Sequence, residues 1–258
     1  MTALPLKMTM SKTKHDQLYQ DLVHLKLNHI AEHYREVLDD SARKNSPLLD
    51  VLIQLVSGQL AARRDSALAR RVRAAHLPAM KTLAEYDFTF PKRIAKQKIL
   101  RLFDLQFIDT FGCAVLIGST GLGKTHLLTA LGYAACEKGL SVRFTRAIDM
   151  INVLTTAHHS GTLERKLKEY VRPQLLLLDE LGYLPIDKRG ADLMFQVVAS
   201  RYETGSIVIS TNRVFKEWGQ IFDVDNTLAT AMIDRLMHHG EAILIQGESY
   251  RTKDGIVE

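Results

Sequence analysis

Gly118-Ser119-Thr120-Gly121-Leu122-Gly123-Lys124-Thr125 follows directly on the apolar run 113–117 and leads into a helical pattern at 124–138. This GxxxxGK[ST] spacing constrains the chain more than any other feature. Its glycines let successive backbone N–H groups turn inward, and the helix that follows adds the partial positive charge of its N-terminus. Together they make a cradle for a phosphate chain. Lys124 would reach the β- and γ-phosphates, and the Thr125 hydroxyl would ligate Mg²⁺. A glycine-rich turn that holds no ligand is the alternative, and its placement after a strand and before a helix argues against it.

The sequence around the loop fits one architecture. After residue 112, short apolar runs at 113–117, 142–145, 175–178, 207–210 and 242–245 alternate with helical patterns near 124–138, 147–158, 162–170, 189–203 and 227–238. Such alternation predicts an α/β fold, with a five-stranded parallel sheet buried on both faces and flanked by helices. Leu175-Leu176-Leu177-Leu178 ends in Asp179-Glu180. Asp179 would hold the Mg²⁺ shell begun by Thr125, and Glu180 would activate the water that attacks the γ-phosphate. A separate strand lies between the loop and this acidic strand in the chain, which leaves room for 207–210 between them in the sheet. Asn212, just beyond 207–210, would then help hold the attacking water, unless it serves only as a turn former. Arg235 near the end of the last helix could neutralise charge on the transferring phosphoryl group, or form a surface ion pair. No NKxD-like motif for reading guanine is present, so ATP is expected rather than GTP.

Ahead of the core, residues 14–75 read as two helices broken at Asn45-Ser46-Pro47, with Ser46 a cap and Pro47 in the first turn. His76-Leu77-Pro78 ends the second helix. Residues 1–110 hold 18 Lys and Arg against 12 Asp and Glu, whereas residues 111–258 hold 16 against 17. The excess positive charge therefore precedes the phosphate loop, which fits either a polyanion partner or solvated helix faces. Cys113 and Cys136 are too few for a disulfide framework and have no metal-ligand spacing. No stretch approaches the ~20 apolar residues of a membrane span, and a soluble cytoplasmic chain is expected.

These residues resemble the AAA+ proteins of the IstB and DnaC type, and among them the IstB-like transposition helper ATPases of bacterial insertion sequences. The resemblance covers roughly residues 15–251. It rests on Leu83-Ala84-Glu85 with Tyr86-Asp87-Phe88, on the loop extended to His126, and on Leu178-Asp179-Glu180-Leu181-Gly182-Tyr183-Leu184-Pro185. Further matches are Ser200-Arg201-Tyr202-Glu203, Ser210-Thr211-Asn212 with Glu217-Trp218, Asp234-Arg235-Leu236-Met237-His238-His239, and Gly247-Glu248-Ser249-Tyr250-Arg251. It implies His126 among the nucleotide-binding residues, Asn212 as a γ-phosphate sensor, Arg235 as a finger reaching a neighbouring subunit's ATP, and Arg251 as a weaker phosphate or interface contact. No full C-terminal lid is expected.

Such proteins look like ATP-dependent oligomers that assemble on DNA and stimulate a partner transposase. The resemblance thus implies a helical domain at 1–78 for DNA or partner binding, a connector at 79–112 and an AAA+ ATPase domain at 113–258. Between residues 63 and 101 lie eleven Lys and Arg against three acids, and Arg63, Arg64, Arg70, Arg71, Arg73, Lys92 and Arg93 are candidates for sequence-independent phosphate contacts. Two other readings share the ATP chemistry: a DnaC-like loader of a replicative helicase, and a DNA-bending scaffold gated by ATP.

Overall fold

The computed structural model describes residues 6–222 and 226–250. The chain divides into two compact units at Ala69 and Arg70, inside one long helix.

The first unit is helical: α1 (Leu6–His24), α2 (Asn28–Lys44) and most of α3 (Leu48–Ala75), up to Ala69. Where two helices were expected, the first splits at residues 25–27. Lys26 takes a left-handed conformation (φ 57°), and Leu27 N–H donates back to Leu22 O at 2.8 Å, which ends α1. Lysine gives no hint of such a turn, because Gly or Asn usually occupies that position. Tyr34 is buried and donates to His15 O at 3.0 Å, tying α2 to α1. The buried Gln59 side chain accepts from Ile30 N–H at 3.3 Å and so satisfies a first-turn donor of α2. Pro47 sits one place earlier than expected. Its carbonyl accepts from Asp50 and Val51 N–H and starts α3, so Ser46 lies outside the cap.

The second unit is built on a six-stranded sheet: β1 (Arg93–Ile94), β2 (Cys113–Gly118), β3 (Val142–Arg146), β4 (Leu175–Leu181), β5 (Ser206–Thr211) and β6 (Gly240–Gln246). Their order is β1-β6-β2-β5-β4-β3. The five expected strands are all there and pair in parallel, with β5 between the loop strand β2 and the acidic strand β4. The expectation of a purely parallel five-stranded sheet is corrected by β1, a two-residue antiparallel partner of β6. Two residues are too few to leave a periodic signal.

Leu175 to Leu178 are fully buried because both faces of the sheet are covered. On one face lies α5 (Lys124–Glu137), whose Gly132 lets the helix approach closely; a Cβ there would stand 2.7 Å from Leu177 Cδ1. The other face carries α6 (Ala147–His159), α7 (Leu163–Val171), α8 (Lys188–Arg201), the short α9 (Trp218–Ile221) and α10 (Asn226–His238). There Val115, Leu176 and Ile209 from the strands meet Met150, Met194 and Met232 from the helices. Helix α4 (Lys96–Phe103) precedes β2 and buries Ile99 and Leu102. Cys136 is buried and Cys113 partly so, both as free thiols. No helix among the described residues is long and apolar enough to cross a membrane.

Arg201, at the end of α8, is 1% exposed. Its guanidinium donates to the carbonyls of Tyr170, Val171, Pro173, Gln174 and Ser206 at 2.7–3.1 Å. It thereby caps the C-terminus of α7, where carbonyls lack helical partners, and fastens the α7–β4 connection to the start of β5. Burial lowers its pKa to about 10, so it remains a cation at neutral pH.

Candidate functional site

The loop after β2 and the ends of β4 and β5 line a cleft of about 430 Å³. Gly121 (φ 81°) and Gly123 (φ 78°) adopt left-handed angles, and each also stands where a side chain would not fit. A Cβ on Gly121 would meet Ser249, and one on Gly123 would meet the Tyr86 ring. Lys124 is 5% exposed, and its Nζ donates to Gly118 O at 2.7 Å and Ser119 O at 2.8 Å, which fixes the ammonium inside the loop.

The two residues expected to share a metal ion are neighbours. Thr125 Oγ1 donates to Asp179 Oδ2 at 2.8 Å, and Asp179 is 3% exposed. The reason is the sheet order: β5 fills the gap between β2 and β4, and its Ser210 hydroxyl donates to Asp179 Oδ1. The same hydroxyl accepts from Glu180 N–H at 3.1 Å. Between Leu178 and Leu181 the β4–β5 register slips by one residue, and Glu180 takes φ 60° within that bulge. A left-handed glutamate costs roughly 1–2 kcal/mol, and its effect is to send Asp179 inward while Glu180 lines the cleft.

Asn212 follows β5, and its Oδ1 is buried without a hydrogen-bond partner among the described residues. An unpartnered buried acceptor of this kind calls for a ligand or a water. His126 lines the cleft, but its Nε2–H donates to Thr82 O at 3.0 Å, so the ring fastens the segment ahead of β1. Arg235 lies elsewhere. It donates to Ala231 O at 2.9 Å, stacks over Phe195 at 4.8 Å and shares a shallow pocket with Cys113, Ile207 and Glu203. Cys113 begins β2 and the phosphate loop follows its end, so about 15–20 Å separates Arg235 from the loop of its own chain. Arg251 lies outside the described residues.

Several cleft residues had no role assigned from the sequence. Tyr86 donates to Leu122 O at 3.0 Å, and burial, with Asp87 nearby, pushes its phenol up to about 12, which keeps it protonated as a donor. Tyr183 meets Thr120 Oγ1 at 3.1 Å across the loop. Tyr250 N–H donates to Gly121 O at 2.9 Å, and its ring packs edge-on against Phe90 at 4.7 Å. Each belongs to a stretch that carried the family resemblance or stands next to one, which was the available signal. What that signal lacked was the tertiary contact that gives each residue its job.

Three of the basic candidates make contacts within the chain. Arg71 Nε–H donates to Cys136 O at 2.8 Å near the end of α5, Lys92 pairs with Glu248, and Arg63 reaches Lys26 O at 3.4 Å. Arg64, Arg70, Arg73 and Arg93 are exposed.

The IstB-like ATP binding protein family matches residues 20–256, nearly the whole chain. The chain belongs to this family. It is 37% identical over 243 residues to the insertion sequence IS232 ATP-binding protein of Bacillus thuringiensis subsp. berliner, covering 94% of this chain and 97% of the relative. It is 36% identical over 233 residues to the insertion sequence IS21 ATP-binding protein of Pseudomonas aeruginosa, covering 90% and 88%. Among solved structures, AMPPCP-bound DnaA from Aquifex aeolicus superposes with a TM-score of 0.56 at 23% identity over 66% of this chain. The chain spans about half of that DnaA chain, 51%, and the likeness shows that this IstB-like protein shares its fold over that region.

Proposed function

We propose that this IstB-like protein is a Mg²⁺-dependent ATPase that assembles on DNA and assists the transposase of an insertion sequence. The observation that carries the reading is the pairing of Thr125 with Asp179 at 2.8 Å beneath the phosphate loop, with Glu180 turned into the same cleft. Thr125 and Asp179 would hold the Mg²⁺, which when bound neutralises charge on the phosphate chain. The loop amides and Lys124 bind and orient the triphosphate, while Tyr86, Phe90 and Tyr250 offer an aromatic wall to the base. The Glu180 carboxylate accepts a proton from the attacking water, and Asn212 Oδ1 accepts a hydrogen bond from it.

Ser210 acts through the two acids, because one hydroxyl serves Asp179 as donor and the Glu180 amide as acceptor. Replacing it with Ala is expected to lower kcat roughly tenfold with KM for ATP little changed, and Ser210→Thr to restore most of the loss. Steady-state phosphate release at several Mg²⁺ concentrations measures both; a normal kcat in the Ala variant removes Ser210 from this role.

Arg235 cannot reach its own loop, and an arginine delivered to the next subunit's site fits its position. Exposed Arg64, Arg70, Arg73 and Arg93 suit contacts to DNA phosphates, which carry no sequence information. The family match includes the helical segment ahead of the core, and both relatives are named for insertion sequences. This supports the transposition helper over the helicase loader, and the placement of Glu180 supports turnover over a static scaffold.

Phosphate release with and without duplex DNA, across salt concentrations, tests the proposal. DNA stimulation that weakens with salt is expected. Arg235→Ala mixed with a Lys124→Ala chain should recover part of the activity that each lacks alone, since the hybrid contact joins an intact loop to an intact arginine. Undetectable release under all conditions would leave only the scaffold.

A further inference from the structure

At the ends of the strands away from the phosphate loop, two stretches left without a part in ATP chemistry meet. Tyr202-Glu203 forms the turn after α8, and His238-His239 joins α10 to β6. One ligand atom each from Glu203, His238 and His239 lies within 4.8 Å of the other two, and all three residues are exposed. His239 Nε2 stands 3.6 Å from Glu203 Oε1.

We propose that Glu203, His238 and His239 form a surface site for a borderline transition-metal ion, with Zn²⁺ the representative case. Two imidazoles and one carboxylate, with water in a fourth position, are a donor set suited to such ions and poorly suited to Mg²⁺. Metal–ligand bonds of about 2.0–2.2 Å require the three donor atoms to draw closer than they stand, and exposed side chains do this by changing rotamer. The neighbouring tyrosine prepares one ligand. Tyr202 Oη lies 2.8 Å from His238 Nδ1, and in the tautomer whose Nδ1–H donates to that oxygen, Nε2 keeps its lone pair for a ligand. Glu203 holds its place at φ 54°, a conformation in which Gly or Asn would be cheaper, so the turn keeps a carboxylate beside the histidines at some cost.

The same chain supplies an internal control. His158 and His159 at the end of α6 are also adjacent, but His159 faces the Arg189 guanidinium at 2.9 Å rather than a carboxylate. A cation pressed against that pair opposes binding of another, so sequence adjacency of two histidines alone does not make the site.

A bound ion would tie the turn after α8 to the end of α10, three residues from Arg235. The test uses tag-free full-length chain without nucleotide, titrated with Zn²⁺ against a chromogenic chelator. One equivalent per chain is expected, with affinity falling at least tenfold in His239→Ala and in Glu203→Gln, and unchanged in His158→Ala. Asp179→Asn, which disables the Mg²⁺ position, should bind Zn²⁺ as the parent does, so that binding in the nucleotide cleft is told apart. Zn²⁺ should also raise the melting temperature of the parent and not of Glu203→Gln. Affinity that is the same in the parent, His239→Ala and Glu203→Gln overturns the proposal, as does binding lost in Asp179→Asn alone. Because none of these readouts involves ATP turnover, the site stands or falls apart from the ATPase reading.

Discussion

Glu180→Gln is expected to bind ATP with Mg²⁺ as tightly as the parent chain and to turn it over roughly 100- to 10,000-fold more slowly. The two halves of that result have different origins. Binding is expected to draw on the loop amides, Lys124, Thr125 and Asp179, and the substitution touches none of them. Turnover needs a group that can take a proton from water, and an amide of nearly the same shape cannot. The bulge should survive, because it is held through the Glu180 backbone N–H on Ser210 rather than through the carboxylate. A 100-fold loss corresponds to about 2.7 kcal/mol of transition-state stabilisation. Single-turnover phosphate release beside equilibrium binding of a fluorescent ATP analogue measures both quantities. Equal turnover in variant and parent would falsify the assignment of Glu180 as the base.

The largest expected effect on stability lies far from the cleft. Arg201→Met should cost about 3–5 kcal/mol and lower the melting temperature by about 10 °C. Methionine fills much of the volume but donates nothing, so the buried carbonyls of Tyr170 and Ser206 and the partly buried ones of Val171 and Pro173 lose their partner. Arg201→Lys should recover only part of the loss, since an ammonium has three donors and no planar fork to span carbonyls on two sides. Thermal unfolding followed by circular dichroism compares the three chains. A Met variant melting within about 2 °C of the parent would show that the carbonyls find other partners.

Much of this architecture is written in short apolar runs. The strands of the parallel sheet are covered on both faces, so they read as unbroken stretches such as Leu175–Leu178, and the helical patterns alternate with them along the chain. The position of β5 could also be inferred, because β3 separates the loop strand from the acidic strand in the chain. Other features depend on tertiary contact and leave no local trace. Lys26 ends a helix without Gly or Pro, and β1 is too short for any pattern. Arg201 looks like an ordinary basic residue at a helix end until the carbonyls of two other elements close around it. At the site, the residue types at 118–125 and 179–180 declare their chemistry. Ser210 and Tyr183 do not, since a buried serine and an exposed tyrosine acquire meaning only from Asp179 and Thr120 beside them. His126 follows the loop in sequence, yet its ring is engaged with Thr82.

Arg235 and the phosphate loop stand at opposite ends of β2. Any docking that brings one molecule's guanidinium to the next molecule's triphosphate must therefore join unlike surfaces, and each added copy leaves one donor face and one acceptor face unmatched. Growth of that kind ends only when the rotation per step returns to the first copy, giving a ring; otherwise it continues as a helix along whatever polymer it has engaged.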